Sequence, residues 1–119
     1  SSFIFEDLIH DYPQNNLMLA SFVSLLLDVG EIERAEKVIT QIVENNKLKG
    51  SEYTSKTVSF LQSQTHLKKG EVKAAIPLLI DSIDVDGLYV ESTDLLKRYR
   101  LLAQAYEKIS NNDKKNTHS

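Results

Sequence analysis

Three histidines are the side chains in this sequence best suited to acid–base or metal chemistry near neutral pH, and their spacing serves neither. His10, His66 and His118 form no HExxH pair, the spacing that sets two imidazoles on one helix face to hold a metal. His66 falls inside a periodic segment, where a packed ring is the better reading than a ligand. The run Ser82-Ile83-Asp84-Val85-Asp86-Gly87 has the spaced oxygens and the glycine of a calcium loop. Its first position lacks a carboxylate, however, and its twelfth is Thr93 rather than a bidentate glutamate. Asp84 and Asp86 therefore read as a solvated turn. The chain has no cysteine, which excludes disulfides, thiolate ligands and a cysteine nucleophile. No serine sits in a G-x-S-x-G elbow, and four unclustered glycines cannot build a phosphate cradle. The sequence nominates no catalytic residue, no metal ligand and no cofactor, so the expectation is a protein that is not an enzyme.

The bulk composition narrows the class further. The chain has 119 residues, 41% of them hydrophobic, enough for one compact domain. A net charge of −3 and a pI near 5.6 argue against the basic face that nucleic-acid binding requires. No apolar run approaches the roughly 18 residues of a membrane-spanning helix, so membrane insertion by this segment is not expected. Lack of cysteine is compatible with the cytoplasm and the periplasm alike.

The elements are legible from periodicity. Leu19, Phe22, Val23 and Leu26 recur at helical spacing between Leu17 and Asp28, and Gly30 supplies the residue that ends a helix in the left-handed conformation. A second helix, about residues 31–46, carries Ala35, Val38, Ile39, Ile42 and Val43, with Glu33, Arg34, Glu36, Lys37 and Glu44 on its opposite face. A third runs from about 51 to 69 and stops at Gly70. A fourth, about 71–85, carries Val72, Ala75, Leu78, Leu79 and Ile83, and Pro77 inside it should kink it or shift its start. A fifth, about 89–109, reads as buried through Leu95, Tyr99, Leu102, Ala103 and Tyr106, with a polar, frayed tail over 110–119. Nothing alternates with a period of two. The fold class expected is all-α.

Internal repetition is the strongest signal. Gly30-Glu31 and Gly70-Glu71 lie forty residues apart, Ala35 and Ala75 follow them at the same offset, and forty more reaches Ser110-Asn111. This pattern resembles the tetratricopeptide repeat (TPR), in which a Gly-Asp/Glu turn separates helix A from helix B. Leu19, Phe22, Val23, Leu26, Gly30, Ala35 and Ile39 stand at its packing positions, as do Tyr99, Leu102, Ala103 and Tyr106 later. Pro13 stands where a proline often closes the preceding helix B, to which Phe5, Leu8 and Ile9 would belong. Three departures stand out, the first being that the third repeat has no apolar helix B after Ser110, because 111–119 is polar throughout. The second helix A has Ser59, Gln62, Ser63 and His66 at customarily apolar or small positions. The spacing also exceeds the usual repeat of about 34 residues, by about one helical turn.

The resemblance implies an antiparallel helix-turn-helix solenoid of about five to six helices. Residues 1–14 would end a preceding helix B or form a capping helix. Residues 15–50 would be one TPR-like repeat, 51–88 a second with a degenerate helix A, and 89–119 the helix A of a third plus a polar tail. Such an array would expose apolar edges at both ends unless capped, so a fragment of a longer protein, or a homodimer through those ends, is expected. The family also lines its concave face with helix A residues, which here are Ala20, Ser24 and Leu27, then Thr57, Phe60, Gln64 and Leu67, then Lys97, Arg100 and Gln104. Ser24, Leu27, Phe60, Gln64, Leu67, Lys97, Arg100 and Gln104 are the ligand-binding candidates, for a protein or peptide with one hydrophobic anchor and an acidic or polar flank. Internal packing of Phe60 and Leu67 is the competing reading. Ala20 and Ser24 stand where chaperone-binding relatives carry a lysine–asparagine clamp, which disfavours that ligand. Long-period repeats of this kind resemble those of bacterial regulators and sensor kinases, implying a regulatory segment of a signalling protein. Self-association and binding of a small-molecule inducer are the alternatives.

Overall fold

The computed structural model describes residues 2–117, with side-chain environments over 6–113; His118 lies outside the described residues. Six helices and no strand are found among them: α1 (Ser2–Asp11), α2 (Asn16–Asp28), α3 (Ile32–Leu48), α4 (Glu52–Lys68), α5 (Val72–Ile83) and α6 (Ser92–Thr117). From α2 onward each helix packs on the next, and α2 also touches α4. The result is an elongated, repeat-like stack, 54 × 36 × 24 Å.

The forty-residue spacing is written into the backbone. Gly30 adopts φ +84° and Gly70 φ +81°, conformations that a Cβ would strain. After α2, the amide of Glu31 donates to Leu26 O at 2.8 Å and that of Gly30 to Leu27 O at 3.1 Å. After α4, Glu71 donates to His66 O at 2.9 Å and Gly70 to Leu67 O at 3.1 Å. Both are Schellman turns, which satisfy the carbonyls a helix leaves open at its C-terminus. Glu31 and Glu71 then cap the following helices through their carbonyls, which accept from Ala35 N and Ala75 N at 3.1 and 3.3 Å. Ala35 and Ala75 are fully buried, so the small side chain permits close helix approach at the same place in each hairpin.

The other turns are tied by amide side chains. Asn15 caps α2 by accepting from Met18 N. Asn45, near the end of α3, donates to Pro13 O and Asn16 Oδ1, fastening the α1–α2 turn. Asn46 accepts from Ser51 N and donates to Ser55 Oγ, so the α3–α4 loop needs no positive φ at Gly50.

The larger apolar cluster joins Leu19, Phe22, Val23, Leu26 and Leu27 of α2 to Ala35, Val38, Ile39 and Ile42 of α3 and to Val58 and Leu61 of α4. A smaller one joins Phe60, Ala75, Leu79 and Ala105. Polar ties supplement α4 where its apolar stripe is thin. Ser59 and Lys56 both donate to Asp81 of α5, and His66 Nδ1 lies 2.8 Å from Glu71 Oε1. Ser63 is fully buried, and its hydroxyl donates to Phe60 O within the helix.

Three expectations change. Tyr99, Ala103 and Tyr106 are exposed; α6 instead turns Arg98 and Ala105 inward, with Leu95, Leu101, Leu102 and Ile109 half-buried. The helix carries two apolar stripes, and among the described residues only the one against α4 and α5 has neighbours. The expected stop at Ser110 is absent, and α6 continues to Thr117. Without a glycine to take the left-handed turn, residues 110–117 keep their helical bonds rather than fraying. Pro77 lies inside α5, past its first turn and on the exposed side, so of the two effects expected of it, a kink or a shifted start, the shifted start is the one not seen.

Candidate functional site

Helices α2, α4 and α6 line two adjoining cavities of about 360 and 310 Å³, both half open to solvent. The first is lined by Ala20, Ser24, Thr57, Phe60, Lys97 and Arg98, among others. The second is lined by Leu27, Gln64, Leu67, Arg100 and Gln104, and it shares Ser24 and Lys97 with the first. All eight candidates from the repeat register therefore meet along one groove.

Their roles in that groove differ. Leu27 is 2% exposed and Phe60 8%, and each belongs to an apolar cluster. These two form the floor and stabilise the fold. Leu67 is half-buried against the smaller cluster. Lys97, Arg100 and Gln104 are exposed on the wall formed by α6, opposite Ser24 on α2. Internal packing thus accounts for Phe60, while the polar walls remain accessible.

Sequence reasoning missed Arg98. It is 3% exposed, its Nη1 donates to Ser82 O at 2.7 Å, and its guanidinium carbon lies 5.2 Å from the centroid of the Phe60 ring. Ser82 belongs to the last turn of α5, where open carbonyls and the negative end of the helix dipole favour a cation. Burial pulls the Arg98 pKa below its ordinary value, opposed by the charge of Asp94 one turn earlier and by Tyr53. A guanidinium nevertheless stays protonated. A signal for this residue exists in the sequence: a single cation on the helical stripe Leu95, Leu101, Leu102, Ala105.

Two buried polar atoms on the groove lining have no hydrogen-bond partner among the described residues, Arg98 Nε and Gln64 Oε1. Such groups are few in folded proteins and each asks for an explanation. The two cavities also hold four cations, Lys68, Lys97, Arg98 and Arg100, against the carboxylates Asp28 and Asp94. None of the four makes an ion pair among the described residues, whereas Arg34, Lys47, Lys56 and Lys69 elsewhere do. An otherwise acidic chain thus offers a cationic groove.

Among the described residues no three His, Cys, Asp or Glu side chains converge to hold a metal, and no helix is long and apolar enough to cross a membrane. Asp84 and Asp86 are exposed beside Gly87, whose φ is +79°. Comparison with protein-family models, curated proteins and solved structures found no match to this chain.

Proposed function

We propose that this protein is a TPR-like binding module that receives a peptide segment of another protein along the α2–α4–α6 groove. The observation that carries this reading is the convergence of Lys97, Arg98 and Arg100 with unpartnered Gln64 Oε1 over an apolar floor. An extended peptide offers what such a lining lacks: backbone N–H groups for an amide oxygen, and carboxylates for guanidinium and ammonium groups. One hydrophobic side chain would rest near Leu67 and Leu101. The half-open shape of both cavities favours an extended chain over an enclosed small molecule. A regulatory or sensor role in a larger signalling protein rests on the long-period repeat resemblance alone.

A synthetic array of 12-residue peptides, each with one Leu or Phe flanked by Asp and Glu, tests the proposal. Saturable binding is expected for some members, with amide shifts in NMR spectra at Gln64 and Gln104. Arg100→Ala or Lys97→Ala should weaken it about tenfold, the scale of one charge-assisted hydrogen bond. Added salt should weaken it as well. The proposal fails if no member binds below about 1 mM, or if the shifts fall on α3 and α5 instead.

A further inference from the structure

The outward stripe of α6 is a second surface, which adjoins the groove wall at Arg100. Leu96, Tyr99 and Tyr106 are 57%, 52% and 51% exposed, and Ala103 and Ser110 are exposed beside them. These positions are spaced by three, four, three and four residues, the 3.5-residue repeat of a two-helix seam. A helix that merely coats a core follows 3.6 residues and a broader face. The internal register points the same way. Tyr99, Ala103 and Tyr106 lie eighty residues beyond Leu19, Val23 and Leu26. Those three are 0–3% exposed in one cluster with α3, the antiparallel helix that follows α2.

We propose that the α6 stripe is a homodimer interface, pairing antiparallel with α6 of a second copy about a two-fold axis near Gln104. Two features of the stripe select this occupant. The first is size: with the axis there, Tyr106 meets the partner's Ala103 and Tyr99 meets the partner's Ser110, so each aromatic ring faces a small residue, twice over. Facing large with small is how helix layers interdigitate. The second is charge. Arg100 and Glu107 flank the seam on the same side, seven residues apart, and neither makes an ion pair among the described residues. The two-fold brings Arg100 beside the partner's Glu107 and Glu107 beside the partner's Arg100. A parallel pair would stack tyrosine on tyrosine and leave both charges unmatched. The seam is short, so the dimer is weak and concentration-dependent.

The absence of native cysteine gives a direct test. Tyr99→Cys and Ser110→Cys are prepared separately as full chains and oxidised alone and mixed. In the antiparallel register the two copies of either cysteine stand eleven residues apart along the helices, about 16 Å, beyond disulfide reach. The mixture places unlike cysteines at one level. Crosslinking only in the mixture is the expected result. Crosslinking of each variant alone means a parallel pair and overturns the proposal, as does none in any sample. Sedimentation then reads the charge pattern: Glu107→Arg should raise the dimer Kd about tenfold, and adding Arg100→Glu should restore it. A wild-type chain that stays monomeric to about 1 mM, or a double variant no better than Glu107→Arg, also overturns it.

Discussion

Arg98 of α6 donates to the carbonyl of Ser82 in the last turn of α5, at 2.7 Å, inside a protein whose other described cations are half-buried or exposed. The bond ties the two helices at one end, and the aliphatic stem fills space beside Phe60. Arg98→Ala should therefore cost about 2–3 kcal/mol, combining a charge-assisted bond with lost packing. Arg98→Met should recover part of that by keeping the stem. Urea unfolding followed by circular dichroism measures both, and an alanine variant within about 0.5 kcal/mol of wild type would show that the buried cation is incidental.

Gly70→Ala places a side chain at φ +81°, where no atom of the described residues lies within 4 Å of the added Cβ. Its cost is purely conformational, about 1–2 kcal/mol. Gly50→Ala is the contrast: φ is not positive there and the new Cβ would stand 3.4 Å from Asn46 O, an ordinary contact. It should be neutral or slightly stabilising. Equal losses at the two sites, read from thermal midpoints, would remove the special role given to the repeat turns.

These turns mark where the sequence was most legible. Glycine is the residue that occupies a left-handed position without strain, so Gly30 and Gly70 disclose both the helix ends and the period. The inward faces of α2 and α3 were equally plain, because apolar residues occur there on one stripe. In α6 the same logic failed: two overlapping stripes satisfy helical spacing, and Arg98 on the inner one disguised it as polar. Forty-residue spacing alone could not foresee that Ser110 lets the helix run on. The groove residues were located by register, but burial of Leu27 and Phe60 depends on neighbours that the local sequence does not name.

Ser63 in α4 occupies a site with no exposure, and its hydroxyl is satisfied by Phe60 O. Ser63→Ala removes that hydroxyl without creating a cavity of consequence and should change stability by less than about 1 kcal/mol. Ser63→Leu adds apolar surface to a fully buried site and should cost about 1–3 kcal/mol by overpacking. A stabilising leucine, by chemical denaturation, would mean that α4 and its neighbours can spread.

The α4–α5 tie sets a dependence on pH. Hydrogen bonds from Ser59, then Lys56, hold the Asp81 carboxyl below its ordinary pKa. A group depressed in the folded state stabilises above its unfolded pKa, about 3.9, and loses that contribution as pH falls through the lower, folded value. The hydrogen bond with Asp81 raises Lys56, so its contribution is present below the ordinary lysine value of about 10.5 and fades as pH rises past it. Asp81→Asn should lower the thermal midpoint at neutral pH and reduce its decline below about pH 4. An unchanged acid limb in the variant would assign acid sensitivity to other carboxylates.

The two apolar clusters are unequal, and this has a dynamic consequence. The first hairpin and the start of α4 share the large one, whereas α5 and α6 lean on Phe60, Ala75, Leu79 and Ala105, aided by buried serines and polar ties. Local opening free energy follows such differences in apolar contact. Amide exchange should thus run faster in the α5–α6 half than in α2 and α3, without unfolding those two. Because α6 carries Lys97, Arg100 and Gln104, the half that loosens is also one wall of the groove. The chain therefore has a fixed jaw and a yielding one, and the width between them can change while the first hairpin remains folded.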